Sequence, residues 1–149
     1  MALEQRIMTD LKEAMKAKDQ AALRTIRAVK AALLLQKTDG SGSEMTDEME
    51  IKLIQKLAKQ RQDSLDIYKE QGRDDLAQTE AEELEVLKRY LPEQLSEDAL
   101  EKEIEAIIAE TGADGMKDMG KVMGIASKKL AGKADGKSIS KVVKAKLTA

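Results

Sequence analysis

Lys117, Lys121, Gly124 and Lys128 recur every three or four residues, the spacing that brings side chains to one face of a helix. At about 100° per residue from Lys117, Lys121 falls near +40°, Gly124 near −20° and Lys128 near +20°, with Gly120 near −60°. Met119, Val122, Met123, Ala126 and Leu130 fall on the opposite side, between about 140° and 240°. A mid-helix glycine costs about 1 kcal/mol relative to alanine, so two of them beside a basic stripe require a compensating interaction. One compensation is close approach of an extended anion such as an RNA backbone, with Lys133 and Lys137 adding charge from the following turn. The other is a second helix packed closely on the glycines, with the lysines as an ordinary solvated face. Spacing alone leaves both open.

Other chemistry is poorly provided for. The chain contains no Cys, His, Trp or Phe, which excludes thiolate and imidazole catalysis, zinc held by Cys and His, haem ligation and disulfides. Glu80, Glu82, Glu83 and Glu85 have the pattern of a solvated helix face rather than of an acid–base pair or a divalent-metal site. The glycines at 40 and 42 lack a following Gly-Lys-Ser/Thr and read as a linker instead of a phosphate loop. Ser64, near Lys59 and Arg61, has no histidine to activate it. No catalytic residue, metal or cofactor is therefore expected. With only Tyr68 and Tyr90 as aromatics, a base-stacking platform cannot be built, and nucleic acid would be held through phosphates and shape.

The elements that must position the lysine stripe follow from periodicity. In 149 residues, 36% of them charged and only 1% aromatic, the apolar positions are mostly Leu, Ile, Met, Val and Ala, the composition of amphipathic helices. An all-α fold is predicted, with an N-terminal helical bundle over residues 1–91 and a C-terminal three-helix bundle over 95–149. Asp19, Thr46 and Ser96 are expected N-caps. The spacing leaves open whether the runs on either side of Asp19 form one helix or a kinked pair. The Thr-Asp-Gly-Ser-Gly-Ser stretch at 38–43 reads as a link, Gly72 as a helix end, and Leu95 with Leu100 as a hydrophobic staple around Ser96. Helices at about Lys117 to Leu130 and Ser138 to Leu147 complete the second bundle. The single proline, Pro92, marks the boundary.

A net charge of −2 conceals a strong asymmetry: residues 1–90 carry 16 basic and 18 acidic side chains, 91–110 carry 1 and 7, and 111–149 carry 9 and 3. All nine cations of the last segment are lysines, point charges suited to phosphate rather than to bidentate base reading. No apolar run approaches a membrane span, and a cytoplasmic protein with no membrane partner is expected.

Tyr90-Leu91-Pro92-Glu93-Gln94-Leu95-Ser96, Asp118-Met119-Gly120-Lys121-Val122-Met123-Gly124 and Gly132-Lys133-Ala134-Asp135-Gly136 together resemble the YqeY family. Lys59-Gln60-Arg61 with Ser64, and Gly72-Arg73 before Asp75-Leu76, extend the likeness into the N-terminal half. The C-terminal module is similar to the tail of the glutamyl/aspartyl-tRNA amidotransferase B subunit, except that Asp135-Gly136 stands where that tail has Asn-Pro. The resemblance implies a tRNA-binding or accessory role, with Lys117, Gly120, Lys121, Gly124, Lys128, Lys133 and Lys137 at the RNA. An adaptor docking on an aminoacyl-tRNA synthetase or amidotransferase subunit through Arg61 and Arg73 is the alternative. A carbon–nitrogen ligase using glutamine as amido-N-donor is the third reading, implied at family level only, because neither an amidase-sized domain nor an ATP cradle is visible.

Overall fold

A computed structural model describes residues 2–39 and 45–149. Most of the expected 38–43 link, including both its glycines, lies outside them. Among the described residues the fold is all-α, with seven α-helices, one short 3-10 turn and no strand. The chain divides into two units, Met1–Leu91 and Pro92–Ala149.

In the first unit, α1 (Ala2–Ala17) and α2 (Gln20–Lys37) are separate helices. The break is local: Lys18 adopts φ 55°, and the Asp19 carboxylate accepts the Ala22 N–H at 3.0 Å to start α2. α3 (Asp47–Glu70) begins at Thr46, whose hydroxyl accepts the Met49 N–H. Its end is closed by Gly72 at φ 69° and by the Arg73 N–H donating to Tyr68 O at 2.8 Å. α4 (Asp74–Lys88) returns along α3. Ile7, Ile26, Val29, Ile54 and Leu87 are almost wholly buried at the centre of this core. Arg24 of α2 reaches Glu82 of α4 at 2.7 Å, and Glu83 lies between Arg24 (3.9 Å) and Arg61 of α3 (3.8 Å), joining three helices across the rim of the core.

Tyr90 closes the same unit. Its ring is buried beneath the Arg6 guanidinium, 4.7 Å from the ring centre, and its hydroxyl donates to Asp10 Oδ2 at 2.6 Å. Burial first, and then the bond to Asp10, push the phenol above its ordinary pKa, so it remains a proton donor. A hydrogen bond to a charged acceptor contributes about 1.5–3 kcal/mol. Tyr90→Phe is accordingly expected to lower the urea midpoint of the first unit without changing the m-value, and an unchanged midpoint would show that the Asp10 bond contributes nothing.

The second unit contains α5 (Glu97–Thr111), a 3-10 turn at Met116–Asp118, α6 (Met119–Lys129) and α7 (Gly136–Thr148). Ser96 caps α5 by accepting the Ala99 N–H, and Gly112 ends it at φ 66°. Leu95 and Leu100 join the same hydrophobic cluster, completing the staple. Leu100, Ile104 and Ile107 of α5 meet Val122, Ala126 and Leu130 from the α6 segment and Ile139, Val143 and Leu147 of α7, a separate core. Among the described residues no helix is long and apolar enough to cross a membrane.

Candidate nucleic-acid interface

α6 is anchored by Val122, Ala126 and Leu130, spaced by four and buried, with Met119 and Met123 partly buried beside them. With that face turned inward, Lys121, Gly124 and Lys128 are opposite and exposed. Lys117 is not on the helix. It sits in the 3-10 turn, where the Asp118 carboxylate accepts the Asp114 N–H at 3.1 Å and the Asp118 N–H donates to Gly115 O at 3.0 Å. The helical angle assigned to Lys117 therefore does not hold, because this segment is wound more tightly than an α-helix. Its ammonium is 3.5 Å from Asp114, with both side chains about 76% exposed, an arrangement that salt and solvent weaken. The Asp118 side chain, engaged with Asp114, makes no cap to α6, so the positive end of that helix dipole is left without a carboxylate bonded to it.

The surroundings of the glycines bear on the two readings left open by the sequence. A Cβ built at Gly120 or Gly124 meets no atom within 4 Å outside its own helix backbone and chain neighbours. No helix among the described residues packs on them. Gly124 is in the middle of α6, and Gly120 in its first turn, where the helical penalty is smaller. Gly124→Ala is thus expected to raise the stability of the second unit by about 1 kcal/mol, read as an upward shift in its thermal midpoint. A fall in stability would mean that the glycine serves the fold.

Lys133 lies on the connection from α6 to α7, whereas Lys137, expected in the same turn, is in the first turn of α7, which starts at Gly136. Gly132 takes φ 80°. Its carbonyl accepts Gln94 Nε2 at 2.6 Å, and the Lys133 carbonyl accepts the Leu95 N–H at 3.0 Å. The Pro92–Leu95 segment thus fastens the turn from outside, a role for Gln94 that was not legible in its residue type. Asp135 then caps α7, its carboxylate accepting the Ser138 N–H at 2.6 Å, so the anion at this turn is used to start a helix.

Charge is sorted across this unit. Lys129 pairs with Glu103 at 3.9 Å and Lys146 with Glu105 at 2.8 Å, both carboxylates on α5. Among the described residues no carboxylate lies within 4.0 Å of the ammonium of Lys121, Lys128, Lys133 or Lys137. The acidic helix neutralises the lysines that face it and leaves these four free.

Arg61 and Arg73, the expected partner-interface residues, are both engaged. Arg61 is only 18% exposed and lies 3.8 Å from Glu83, whereas Arg73 is exposed and forked onto Asp75 at 3.3 Å through Nε and Nη2. A cavity of about 460 Å³ in the first unit is lined by Arg6, Asp10, Glu13, Asp19 and Arg89 among others. Its Asp10 is bonded to Tyr90, and Asp19 caps α2, so neither is free for acid–base work. Among the described residues no cluster of three or more carboxylates is arranged to hold a metal ion.

A sequence model of the YqeY family, described as Yqey-like protein, matches residues 4–147. The chain belongs to the YqeY family. Its curated relatives include "Altered inheritance of mitochondria protein 41, mitochondrial" of Pyrenophora tritici-repentis, 30% identical over 141 residues, covering 93% of this chain and 77% of the relative. The protein of the same name in Clavispora lusitaniae is 38% identical over 90 residues, 60% of this chain and 52% of the relative. That of Meyerozyma guilliermondii is 41% identical over 83 residues, 55% and 42% of the two chains. In the last two cases the YqeY chain spans about half the relative's length or less. Neither the family description nor these names states a catalytic activity. The expected cytoplasmic location does not stand, because these YqeY relatives are named as mitochondrial proteins. Charge balance, cysteine content and hydropathy do not separate the cytosol from the inside of a mitochondrion.

Proposed function

We propose that this YqeY chain is a tRNA-binding accessory protein whose second unit holds RNA phosphates and performs no bond chemistry itself. The observation that carries this reading is the outward face of α6, where Lys121 and Lys128 flank Gly124 with, among the described residues, no carboxylate partner and open space above the glycine. A helix that forgoes side-chain bulk at its most basic point admits a phosphate backbone against its own backbone. Lys133 and Lys137 continue the charge around a turn that Gln94 and Leu95 hold in place, and Lys117 joins when its exposed contact with Asp114 opens. The resemblance to the amidotransferase B-subunit tail points the same way. The Asp135-Gly136 pair keeps the helix start that Asn-Pro would provide, since Asp is as good an N-cap as Asn.

The protein–protein adaptor is the competing reading; Arg61 is drawn into a partly buried pair with Glu83, whereas Arg73, in an exposed pair with Asp75, stays accessible to a partner. Titration of the full chain with labelled total tRNA at low and physiological salt separates them. Saturable binding that weakens as salt rises supports RNA recognition. No binding at low salt would overturn it and favour the adaptor.

A further inference from the structure

On α1, Glu4, Met8, Lys12 and Met15 recur every three or four residues, and on α2 so do Arg27, Lys30, Leu34 and Lys37, so each set forms one stripe along its helix. The two helices pack against one another as an antiparallel hairpin around the turn at Lys18 and Asp19. At the open end of the hairpin the Lys37 ammonium bonds both carboxylate oxygens of Glu4 at 2.7 Å. That ion pair joins the ends of the two stripes and so sets them on the same side of the hairpin. Moving from it one turn at a time brings Met8 beside Leu34, Lys12 beside Lys30 and Met15 beside Arg27. Met8, Met15 and Leu34 are 43%, 57% and 63% exposed, and Lys12, Arg27 and Lys30 are exposed as well. Among the described residues no carboxylate lies within 4.0 Å of the charged groups of Lys12, Arg27 or Lys30, and α2 has no acidic side chain at all. Residues 1–38 carry eight basic and four acidic side chains, whereas 39–90 carry eight and fourteen, so the positive charge of the first unit is gathered on this hairpin.

We propose that this face of the first unit docks an acidic amphipathic helix of a partner protein, laid in the seam between α1 and α2. The inference is independent of the RNA-binding reading, which uses the second unit alone. With helix axes about 8–10 Å apart, the seam between two antiparallel helices is a shallow groove of the width that a third helix fills. Met8 and Met15 are two helical turns apart, with Leu34 across the seam from Met8, so they meet apolar anchors spaced by three, four or seven residues on the incoming helix. Thioether side chains adapt to the shape of such anchors. Lys12 and Lys30, facing each other with no anion between them, and Arg27 beyond them call for carboxylates flanking those anchors. A phosphate backbone would use the cations and leave the exposed apolar groups in water. A lipid surface fits less well, because the cations stand between the apolar groups rather than around them, and residues 1–38 contain no aromatic side chain to sit at a headgroup boundary.

The test is fluorescence anisotropy of the full chain with a labelled peptide of about 18 residues that carries leucines at helical spacing on one face and glutamates on the other. A scrambled peptide of the same composition and a version with lysine for glutamate are the controls. The patterned acidic peptide should bind at least about tenfold more tightly than either. Met8→Gln with Leu34→Gln should weaken its binding by about tenfold, and so should Arg27→Glu with Lys30→Glu, whereas Arg27→Lys with Lys30→Arg should bind as the wild type does. All four side chains are exposed, so the thermal midpoint of each variant should move by no more than the small amounts typical of surface changes. Equal binding of the scrambled peptide would reduce the effect to bulk charge and overturn the inference. Binding that both pairs of variants leave intact would place the peptide elsewhere, the lysines of α6 included, and would overturn it too. Affinity for vesicles about one-third phosphatidylserine, with none for the peptide, would assign the face to a lipid surface instead.

Discussion

Ile104→Ala is expected to remove about half of the second unit's stability while leaving the first unit's unchanged. Ile104 is 0% exposed and lies among Leu100, Ile107, Val122, Ala126, Ile139 and Val143. Truncating a buried isoleucine to alanine costs about 2–5 kcal/mol, through lost transfer energy and the cavity left behind. A unit the size of residues 92–149, at about 0.05–0.15 kcal/mol per residue, has only about 3–9 kcal/mol to lose. Thermal unfolding followed by circular dichroism should therefore show a second-unit transition lowered by about 10–40 °C, with the transition of the first unit in place. Ile104→Val, which removes one methylene, should cost about 1 kcal/mol and leave the unit folded. A wild-type melting curve for Ile104→Ala would contradict the core described here. Above the lowered transition RNA binding should disappear with the fold, because the lysine face of α6 has no scaffold once α5 no longer holds α6 and α7 together.

The local signals in the sequence were strong where they depended on a residue and its near neighbours. Asp19, Thr46 and Ser96 cap helices as their types suggest, Gly112 ends α5 in the left-handed region, and Val122, Ala126 and Leu130 are the inward face that their spacing implied. What the sequence pattern could not reveal was the pairing. Which lysines remain free depends on where the α5 carboxylates land, and Glu103 and Glu105 select Lys129 and Lys146 from partners 26 and 41 residues away.

Three other features were hidden for related reasons. Arg61 looked like an exposed contact, but Glu83, arriving from the next helix, draws it into the α3–α4 seam. Gln94 looked unremarkable until the Gly132 carbonyl, 38 residues on, was placed against its amide. Lys117 was misplaced by a short-range effect: the Asp114–Asp118 bond and the tightly wound turn delay the start of α6 to Met119, and helical periodicity carries no information about that. Gly120 and Gly124 were the reverse case. Their cost is visible in the sequence, and among the described residues nothing packs in the open space above them.

Lys121→Glu with Lys128→Glu should have the largest effect on function. Each exposed lysine that neutralises a phosphate releases about one counterion, so removing two contacts flattens the logarithmic salt slope by about two. Reversal adds repulsion at the same positions, and the combined loss of tRNA affinity near 0.1 M salt is expected to be on the order of a hundredfold. Neither side chain is buried or bonded to a carboxylate among the described residues, so the fold should be unaffected, and the thermal midpoint should move by no more than the small amounts typical of surface changes. Measurement of tRNA affinity across a salt series, for the wild-type chain and this double variant side by side, tests the central claim most directly. A steep slope in the wild type that becomes shallow in the variant, with both proteins melting alike, is the result expected of a phosphate-binding α6 face. Parallel lines of equal affinity would contradict it.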